Sequence, residues 1–354
     1  MSSQRRRQPR SLERAAAAHP ASSTNWTPIV LLPNPLPDFS RNAVDTSLRL
    51  FGRACELPLL LQADQATDHD TIRLVAAAER RESFLFSLGD LAQVMGDRTL
   101  LSRLVTITDT FEPATLFGEI SISTLAGGTI ASPIGVGAVA STVHNLRLRA
   151  LIVRLDFARA AENGYGDLDP SSAPEAINEL KEAIGCPILV RATTGFPRIA
   201  ARKLIQHGTS GFVAGGIERD CVTLGSVPGS VSDTEQPSAK PGIPAAAAIR
   251  ILRGIGVPIV SDARFNNGDD AAKAIALGAD LVAPQGALTS LRVEEPGALD
   301  RWVATFSREL EAAMFLAGAR TLAQLRQSPF VATGETREWL EAAETLWKAD
   351  PRDE

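Results

Sequence analysis

Three acidic residues lie at or just beyond the ends of apolar runs in this sequence, and they are the residues best suited to chemistry. They are Asp64, Glu119 and Asp262. A carboxyl group held in a partly dry site has a raised pKa and can donate a proton, especially where two such groups lie close together. We therefore predict that these three carboxyls perform acid–base catalysis.

Two arginines and a fourth acid occupy equivalent positions. Arg154 and Asp156 follow one apolar run, and Arg191 follows another. All three are candidate catalytic residues, because charged groups in a cleft orient a substrate and shift the pKa of their neighbours. The alternative is that Arg154 pairs with Asp156, or Arg191 with Glu119, and that these ion pairs only hold the loops.

Uncharged candidates for substrate binding occur at other run ends. Ser87 and Gln285 offer side-chain hydrogen bonds, and Gly215-Gly216 can present backbone amides to an anion. The glycine pair is equally compatible with a plain tight turn.

Parallel βα units must position these residues, because short runs of Leu, Val and Ile alternate with helical periods. One helix is predicted at Arg198–Gln206 with a buried stripe of Ile199, Leu204 and Ile205, and its counterpart at Asp269–Leu277. Eight runs in about 250 residues favour a (β/α)8 barrel, an α/β fold whose chemistry lies at the carboxyl ends of the strands. The runs are Pro58–Ala63, Ser83–Ser87, Thr115–Ile120, Ala150–Leu155, Pro187–Ala192, Gly211–Ala214, Pro258–Asp262 and Asp280–Ala283.

The remaining segments define the domain organisation. Residues 1–25 read as a flexible basic arm, and 26–350 as a single barrel domain that ends in extra helices at Leu299–Leu316, Thr321–Arg326 and Glu338–Lys348. These helices could cap the barrel or form a subunit contact. The Ser-, Gly- and Pro-rich segment 217–242 reads as a mobile lid, with plain disorder as the alternative.

Composition excludes several classes of protein. The chain of 354 residues has a net charge of −5, so no basic field exists to bind nucleic acid or an anionic membrane. The arginine-rich start is not followed by the apolar core of a signal peptide, and no stretch approaches the length of a membrane span. With 3 cysteines far apart and 4 histidines in no zinc pattern, we expect a cytoplasmic protein without structural zinc.

Four stretches resemble the type 2 isopentenyl-diphosphate isomerases, which are FMN-dependent barrels related to the hydroxy-acid oxidases. The resemblance implies the same fold and a homo-oligomer. The stretches are Asn34–Asp38 with Leu50–Gly52 and Leu57–Leu61; Gly242–Ile249; Gly268–Asp280; and Leu310–Gly318 with Leu325 and Pro329.

The positions that this family uses for chemistry are replaced. Asp90 stands where a cation is expected to face phosphate, and the glycine-rich phosphate loop reads Ala263–Asn266. A catalytic glutamine becomes Asn163, and a magnesium-binding glutamate becomes Tyr165, which cannot replace a hard oxygen ligand. The resemblance leaves Asn163 and Tyr165 as substrate-binding candidates. We expect no metal ligands, no Mg²⁺ and no bound cofactor, with FMN as the alternative.

Three functions remain open. The first is a flavin-independent isomerase or cyclase that acts by acid–base chemistry on a small molecule, either isoprenoid-like or another specialised metabolite. The second is an FMN-dependent isopentenyl-diphosphate isomerase with a drifted site. The third is a non-catalytic pseudoenzyme that assembles with a partner. Acids gained at the barrel mouth favour the first.

Overall fold

A computed structural model describes residues 26–63, 84–108, 116–125, 135–157, 170–192, 194–215, 242–285, 287 and 297–348. The predicted arm, the lid apart from Gly242, and four candidate site residues lie outside these ranges. The four residues are Asp64, Asn163, Tyr165 and Gly216.

Eight parallel strands form a sheet in which neighbours follow chain order from Leu60–Gln62 to Leu281–Val282. A bridge between Leu59 and Val282 joins the first strand to the last, and Val282 N donates to Pro58 O at 2.9 Å. The predicted (β/α)8 barrel is confirmed. The strands are β1 (Ile29–Leu31), β2 (Leu48–Leu50), β3 (Arg53–Cys55), β4 (Leu60–Gln62), β5 (Leu85–Asp90), β6 (Leu116–Ser121), β7 (Ala150–Arg154), β8 (Ile188–Arg191), β9 (Thr209–Val213), β10 (Ile259–Ser261), β11 (Leu281–Val282) and β12 (Phe330–Ala332).

Helices surround the sheet and bury their apolar stripes against it, which is the layer arrangement expected of βα repeats. The helices in the described ranges are α1 (Ala92–Gly96), α2 (Arg98–Thr108), α3 (Val136–Asn145), α4 (Ala173–Ile184), α5 (Arg198–Gln206), α6 (Ala245–Leu252), α7 (Gly268–Leu277), α8 (Ala298–Leu316), α9 (Leu322–Leu325) and α10 (Gly334–Lys348).

The barrel interior is filled by apolar side chains and closed at its amino-terminal end by the β2–β3 hairpin. Leu50 and Cys55 of the hairpin join the interior cluster, and the ring of Phe51 lies 6.4 Å from that of Phe117. Gly52 at the hairpin tip has a φ of +82°, which glycine adopts without a Cβ clash. Because the lower half is packed by these described side chains, a ligand within the barrel would lie toward the opposite end.

The carboxyl-terminal helices cap the outside of the barrel, one of the two roles predicted for them. Ala343 on α10 packs against Ala247 and Ile251 on α6, and Arg250 reaches Glu344 at 2.5 Å. Strand β12 pairs antiparallel with β1, so the two ends of the described chain meet.

The bounds predicted for α5 are confirmed, and its predicted buried stripe is right for Leu204 and Ile205, which pack in the core, but wrong for Ile199. Ile199 is 69% exposed, whereas Arg198 is buried and donates to the carbonyl oxygens of Ile251 and Arg253, both at 3.0 Å. These carbonyls lie at the end of α6, where helix carbonyls lack intrahelical partners. An arginine that satisfies two such groups therefore occupies the inner face in place of the isoleucine.

None of the helices in the described ranges is long and apolar enough to cross a membrane.

Candidate active site

Polar side chains take over from the apolar core at the carboxyl ends of the barrel strands. Side chains alternate along a strand, so the position two residues beyond an interior residue also points inward. Interior residues include Leu60, Phe117, Leu189 and Val260, and each is followed two positions later by a polar residue of the mouth. The inward positions at the mouth are Gln62, Ser87, Glu119, Arg154, Arg191, Gly215 and Asp262.

Glu119 on β6 is the centre of this layer. It is 2% exposed and accepts hydrogen bonds from Arg154 Nη1 at 2.6 Å and from Arg191 Nη1 at 2.9 Å. Gln62 Nε2 donates to Glu119 Oε2 at 3.0 Å. Both carboxylate oxygens are therefore occupied, which makes Glu119 an anchor for two arginines rather than a free base.

Asp262, just after β10, has one paired oxygen and one orphaned oxygen. Its Oδ2 lies 2.5 Å from Arg191 Nη2, while Oδ1 is buried and accepts no hydrogen bond from the described residues. Gly215 lies directly against Oδ1, where a Cβ would collide with the carboxylate. The glycine therefore provides space for Asp262, a role that differs from the amide cradle predicted from the sequence.

The outer rim of the mouth is formed by two more acids around Arg154. Arg154 Nη2 bonds Asp90 Oδ2 at 3.0 Å, and Arg154 Nε lies 3.6 Å from Asp156 Oδ2. Ser121 Oγ is 2.7 Å from the same Asp156 oxygen. Both ion pairs that the sequence left as alternatives are present, in a continuous chain that runs from Asp156 through Arg154, Glu119 and Arg191 to Asp262.

Gln62 and Ser121 were missed by the sequence analysis as site residues, and Asp90 was identified there only as an acid in place of a cation. The inward alternation of β4 is the signal that could have identified Gln62. The contact of Asp90 with Arg154 was hidden by a register shift in β5, where Gly89 has a φ of +72° and the pairing with β6 slips between Ser87 and Asp90.

Two candidates for substrate binding have local partners in the structure. Ser87 is fully buried, and its Oγ accepts from Gly89 N at 3.3 Å within the bulge. The backbone N of Gln285 donates to Ala263 O at 3.4 Å, which ties the end of β11 to the loop after β10. Their side chains' roles in binding stay predictions.

The electrostatics of the mouth raise the pKa of Asp262. Burial raises the pKa of Asp262, the charge of Glu119 raises it further, and the opposing effect of Arg191 is smaller than the sum. Burial alone would lower the pKa of Arg191, but Asp262 and Glu119 raise it above its ordinary value, so the guanidinium stays charged. Even with a proton on Asp262, the carboxylates of Asp90, Glu119 and Asp156 outnumber the two guanidiniums, which leaves excess negative charge.

We predict a specific pH dependence of stability from the raised pKa of Asp262. Between the ordinary carboxyl pKa of 3.8 and the higher value in the fold, the native state binds more protons than the unfolded chain. The free energy of unfolding therefore falls as pH rises through that window, and it is highest below it. Asp262→Asn should remove this decline, so its stability relative to wild type should rise with pH in urea denaturation. Parallel curves for the two proteins, with exposed Asp269→Asn as control, contradict the prediction.

Comparison with known proteins identifies the family of folds to which this barrel is similar. A sequence profile of the FMN-dependent dehydrogenase family matches residues 232–332. A mandelate oxidase solved with benzoylformic acid superposes with a TM-score of 0.62 at 16% identity, covering 87% of this chain and 88% of that one. A lactate oxidase of Pediococcus acidilactici gives 0.63 at 14% identity, covering 87% and 84%. The fold is that of the FMN-dependent dehydrogenase barrels.

Two relatives are more similar to this chain in sequence than these solved structures are, and both are isopentenyl-diphosphate delta-isomerases. The chain is 26% identical over 332 residues to an isopentenyl-diphosphate delta-isomerase of Methanothermobacter thermautotrophicus, covering 90% of this chain and 89% of the relative. It is 27% identical over 331 residues to the enzyme of that name from Symbiobacterium thermophilum, covering 92% and 88%. The predicted resemblance to these isomerases is confirmed. The low identity agrees with the prediction that this chain has diverged from them.

The described residues do not fit the phosphate of FMN in the loop after β10. Asn266 N already donates to Asp270 Oδ2 at 3.0 Å, and Gly268 N to Glu309 Oε2 at 3.0 Å. Phe265 is buried in a stack with Trp26, whose Nε1 donates to Arg264 O at 2.9 Å. Carboxylates occupy the amides at the start of α7 and repel a further anion.

No group of three or more His, Cys, Asp or Glu residues within the described ranges is arranged to hold a metal ion.

Proposed function

We propose that this protein is an enzyme that isomerises or cyclises an isoprenoid-like or other specialised metabolite by proton transfer in the barrel mouth, without flavin. The observation that carries the proposal is Asp262, a buried carboxyl with one unpartnered oxygen among the described residues and a raised pKa. A buried carboxyl whose pKa is raised holds its proton more readily than an exposed one and can donate it to a substrate double bond or epoxide.

The rest of the mouth supports a division of roles. In this proposal Asp262 supplies the proton, and Asp156, about a quarter exposed at the rim, accepts the proton that the substrate loses. Arg154, Glu119 and Arg191 connect the two and act as positioning residues. Asp64, at the end of the first barrel strand, stays a predicted third acid.

The charge of the mouth also bears on the substrate class. The guanidiniums of Arg154 and Arg191 each contact at least two carboxylates already. Neither therefore has the pair of free N–H donors that would bind a diphosphate. We propose a substrate without a diphosphate group, in contrast to the diphosphate in the name of the relatives.

A non-catalytic barrel is the second candidate, and one observation favours it. Both oxygens of Glu119 are saturated, as expected for a network that only fastens the strand ends. If the protein is an enzyme as proposed, turnover must depend on Asp262. If the barrel is non-catalytic, no turnover is expected.

Titration with FMN tests the flavin-independent part of the proposal. We expect colourless purified protein and no saturable flavin quenching at micromolar concentration. Losing two charge-assisted hydrogen bonds, each worth about 1.5–3 kcal/mol, weakens binding at least about a hundredfold. Riboflavin, which lacks the phosphate, is the matched control, and FMN should bind no more tightly than riboflavin. Protein that purifies yellow with stoichiometric FMN supports the FMN-dependent alternative instead.

A further inference from the structure

A second cavity lies at the opposite end of the barrel from the mouth. It has a volume of about 430 Å³, within the range of small-molecule sites. Arg149 precedes β7 and Pro187 precedes β8, so the cavity opens beside the amino-terminal edge of the sheet. Its lining residues are Val143, His144, Arg147, Leu148, Arg149, Ile184, Gly185, Cys186 and Pro187.

Arg147 enters this cavity from a strained backbone position. Helix α3 ends with Leu148 N bonded to Val143 O and Arg147 N bonded to His144 O, the double hydrogen-bond pattern that usually has glycine at the position of Arg147. Arg147 has a φ of +51°. A side chain here costs stability relative to glycine, and such retained strain points to a role for the side chain.

Arg149 has a buried hydrogen-bond donor without a partner among the described residues, an observation independent of the backbone strain at Arg147. Its Nε is buried and makes no hydrogen bond within the described residues. The guanidinium lies beside the hairpin tip, where Nη2 would be 3.1 Å from a Cβ on Gly52. An unsatisfied donor at the wall of a cavity is a group that a ligand can satisfy.

The local charge decides what kind of ligand fits. The carboxyl-terminal ends of α3 and α4 each contribute about half a negative charge, and the guanidiniums of Arg147 and Arg149 oppose it. The described lining residues include no acid. Burial raises the pKa of Cys186, and the charges of Lys181 and Arg149 lower it, as cations beside the cavity would.

We propose that this cavity binds a small organic anion, with a carboxylate or phosphate oxyanion on the arginines and an apolar body against Val143, Leu148 and Ile184. The guanidinium fork matches either oxyanion. The site is separate from the barrel mouth, so this proposal does not depend on the proposed catalytic function.

Cys186 provides a reporter at the cavity wall. In a Cys221→Ser background, with Cys55 buried, alkylation by neutral iodoacetamide at mildly alkaline pH follows Cys186. Phenyl phosphate and benzoate are the probes, inorganic phosphate tests the oxyanion alone, and benzyl alcohol is the uncharged control. At ten times its dissociation constant, a bound probe should slow alkylation about tenfold.

Two variants locate the binding. Arg147→Gly should weaken probe binding about ten- to a hundredfold while keeping or raising the melting temperature, because glycine suits the backbone there. Arg149→Gln should weaken binding similarly. Arg103→Gln, at an exposed arginine on α2, is the matched control and should bind like wild type.

Three outcomes overturn the proposal. They are equal protection by benzyl alcohol, unchanged probe binding in folded Arg147→Gly, and protection of Cys186 that rises with protein concentration without any probe. The last outcome would mean that a second copy of the chain covers the cavity.

Discussion

Asp262→Asn should reduce turnover about 10²–10⁴-fold, the usual contribution of a positioned general acid. The amide has nearly the same shape and can still accept a hydrogen bond from Arg191, but it has no acidic proton to deliver. Acid–base isomerisation exchanges substrate hydrogen with solvent. Turnover can therefore be measured in D₂O as deuterium incorporated into a panel of isoprenoid alcohols and epoxides, by mass spectrometry.

The control for this result is Asp269→Asn, the same chemical change on α7, where the carboxylate is half exposed and pairs with Lys273 at 2.8 Å. It should incorporate deuterium at the wild-type rate. Incorporation that survives in Asp262→Asn contradicts the assignment of the acid. Failure of the wild type itself to exchange hydrogen with any panel member supports the non-catalytic barrel.

Much of the fold could be predicted because its signals are local. Each barrel strand is a short apolar run bounded by turn residues, and all eight predicted runs contain or overlap an observed strand. The end of α7 at Gly278 also follows from local chemistry, since Gly278 has a φ of +132°. Such features depend on neighbouring residues alone, which a sequence displays directly.

The error on α5 has a different origin. Helical periodicity made Ile199 a core residue, but the inner face meets the end of α6, some fifty residues along the chain. The carbonyl groups at the end of α6 need hydrogen-bond donors, and Arg198 supplies them. This polar requirement comes from a distant part of the chain and outweighs the apolar pattern of α5. A buried arginine of this kind leaves no periodic signal.

The candidate site was predictable in position but not in connectivity. The rule that strand ends form the working face located Glu119, Arg191 and Asp262 correctly in one layer. Which oxygen bonds which guanidinium depends on register, and the bulge at Gly89 that brings Asp90 to Arg154 is invisible to simple alternation. The sequence therefore offered isolated ion pairs where the structure has one continuous network.

Glu119→Gln should lower the free energy of unfolding by about 3–5 kcal/mol, the cost of removing one partner from a buried ion pair. The amide group would turn NH₂ donors toward arginine donors, leaving Arg154 and Arg191 poorly compensated. Because these side chains are 22% and 15% exposed, water relieves part of the loss, and the lower half of that range is expected. Urea denaturation at neutral pH measures the change.

One comparison makes this expectation specific to the network. Glu341→Gln, which removes an exposed carboxylate 3.6 Å from Arg337, should change the free energy of unfolding by no more than about 0.5 kcal/mol. Removing both arginines would not be a clean comparison, because Asp262, Asp90 and Asp156 would lose their guanidinium partners. A loss below about 1 kcal/mol in Glu119→Gln would show that Glu119 does not hold the two arginines.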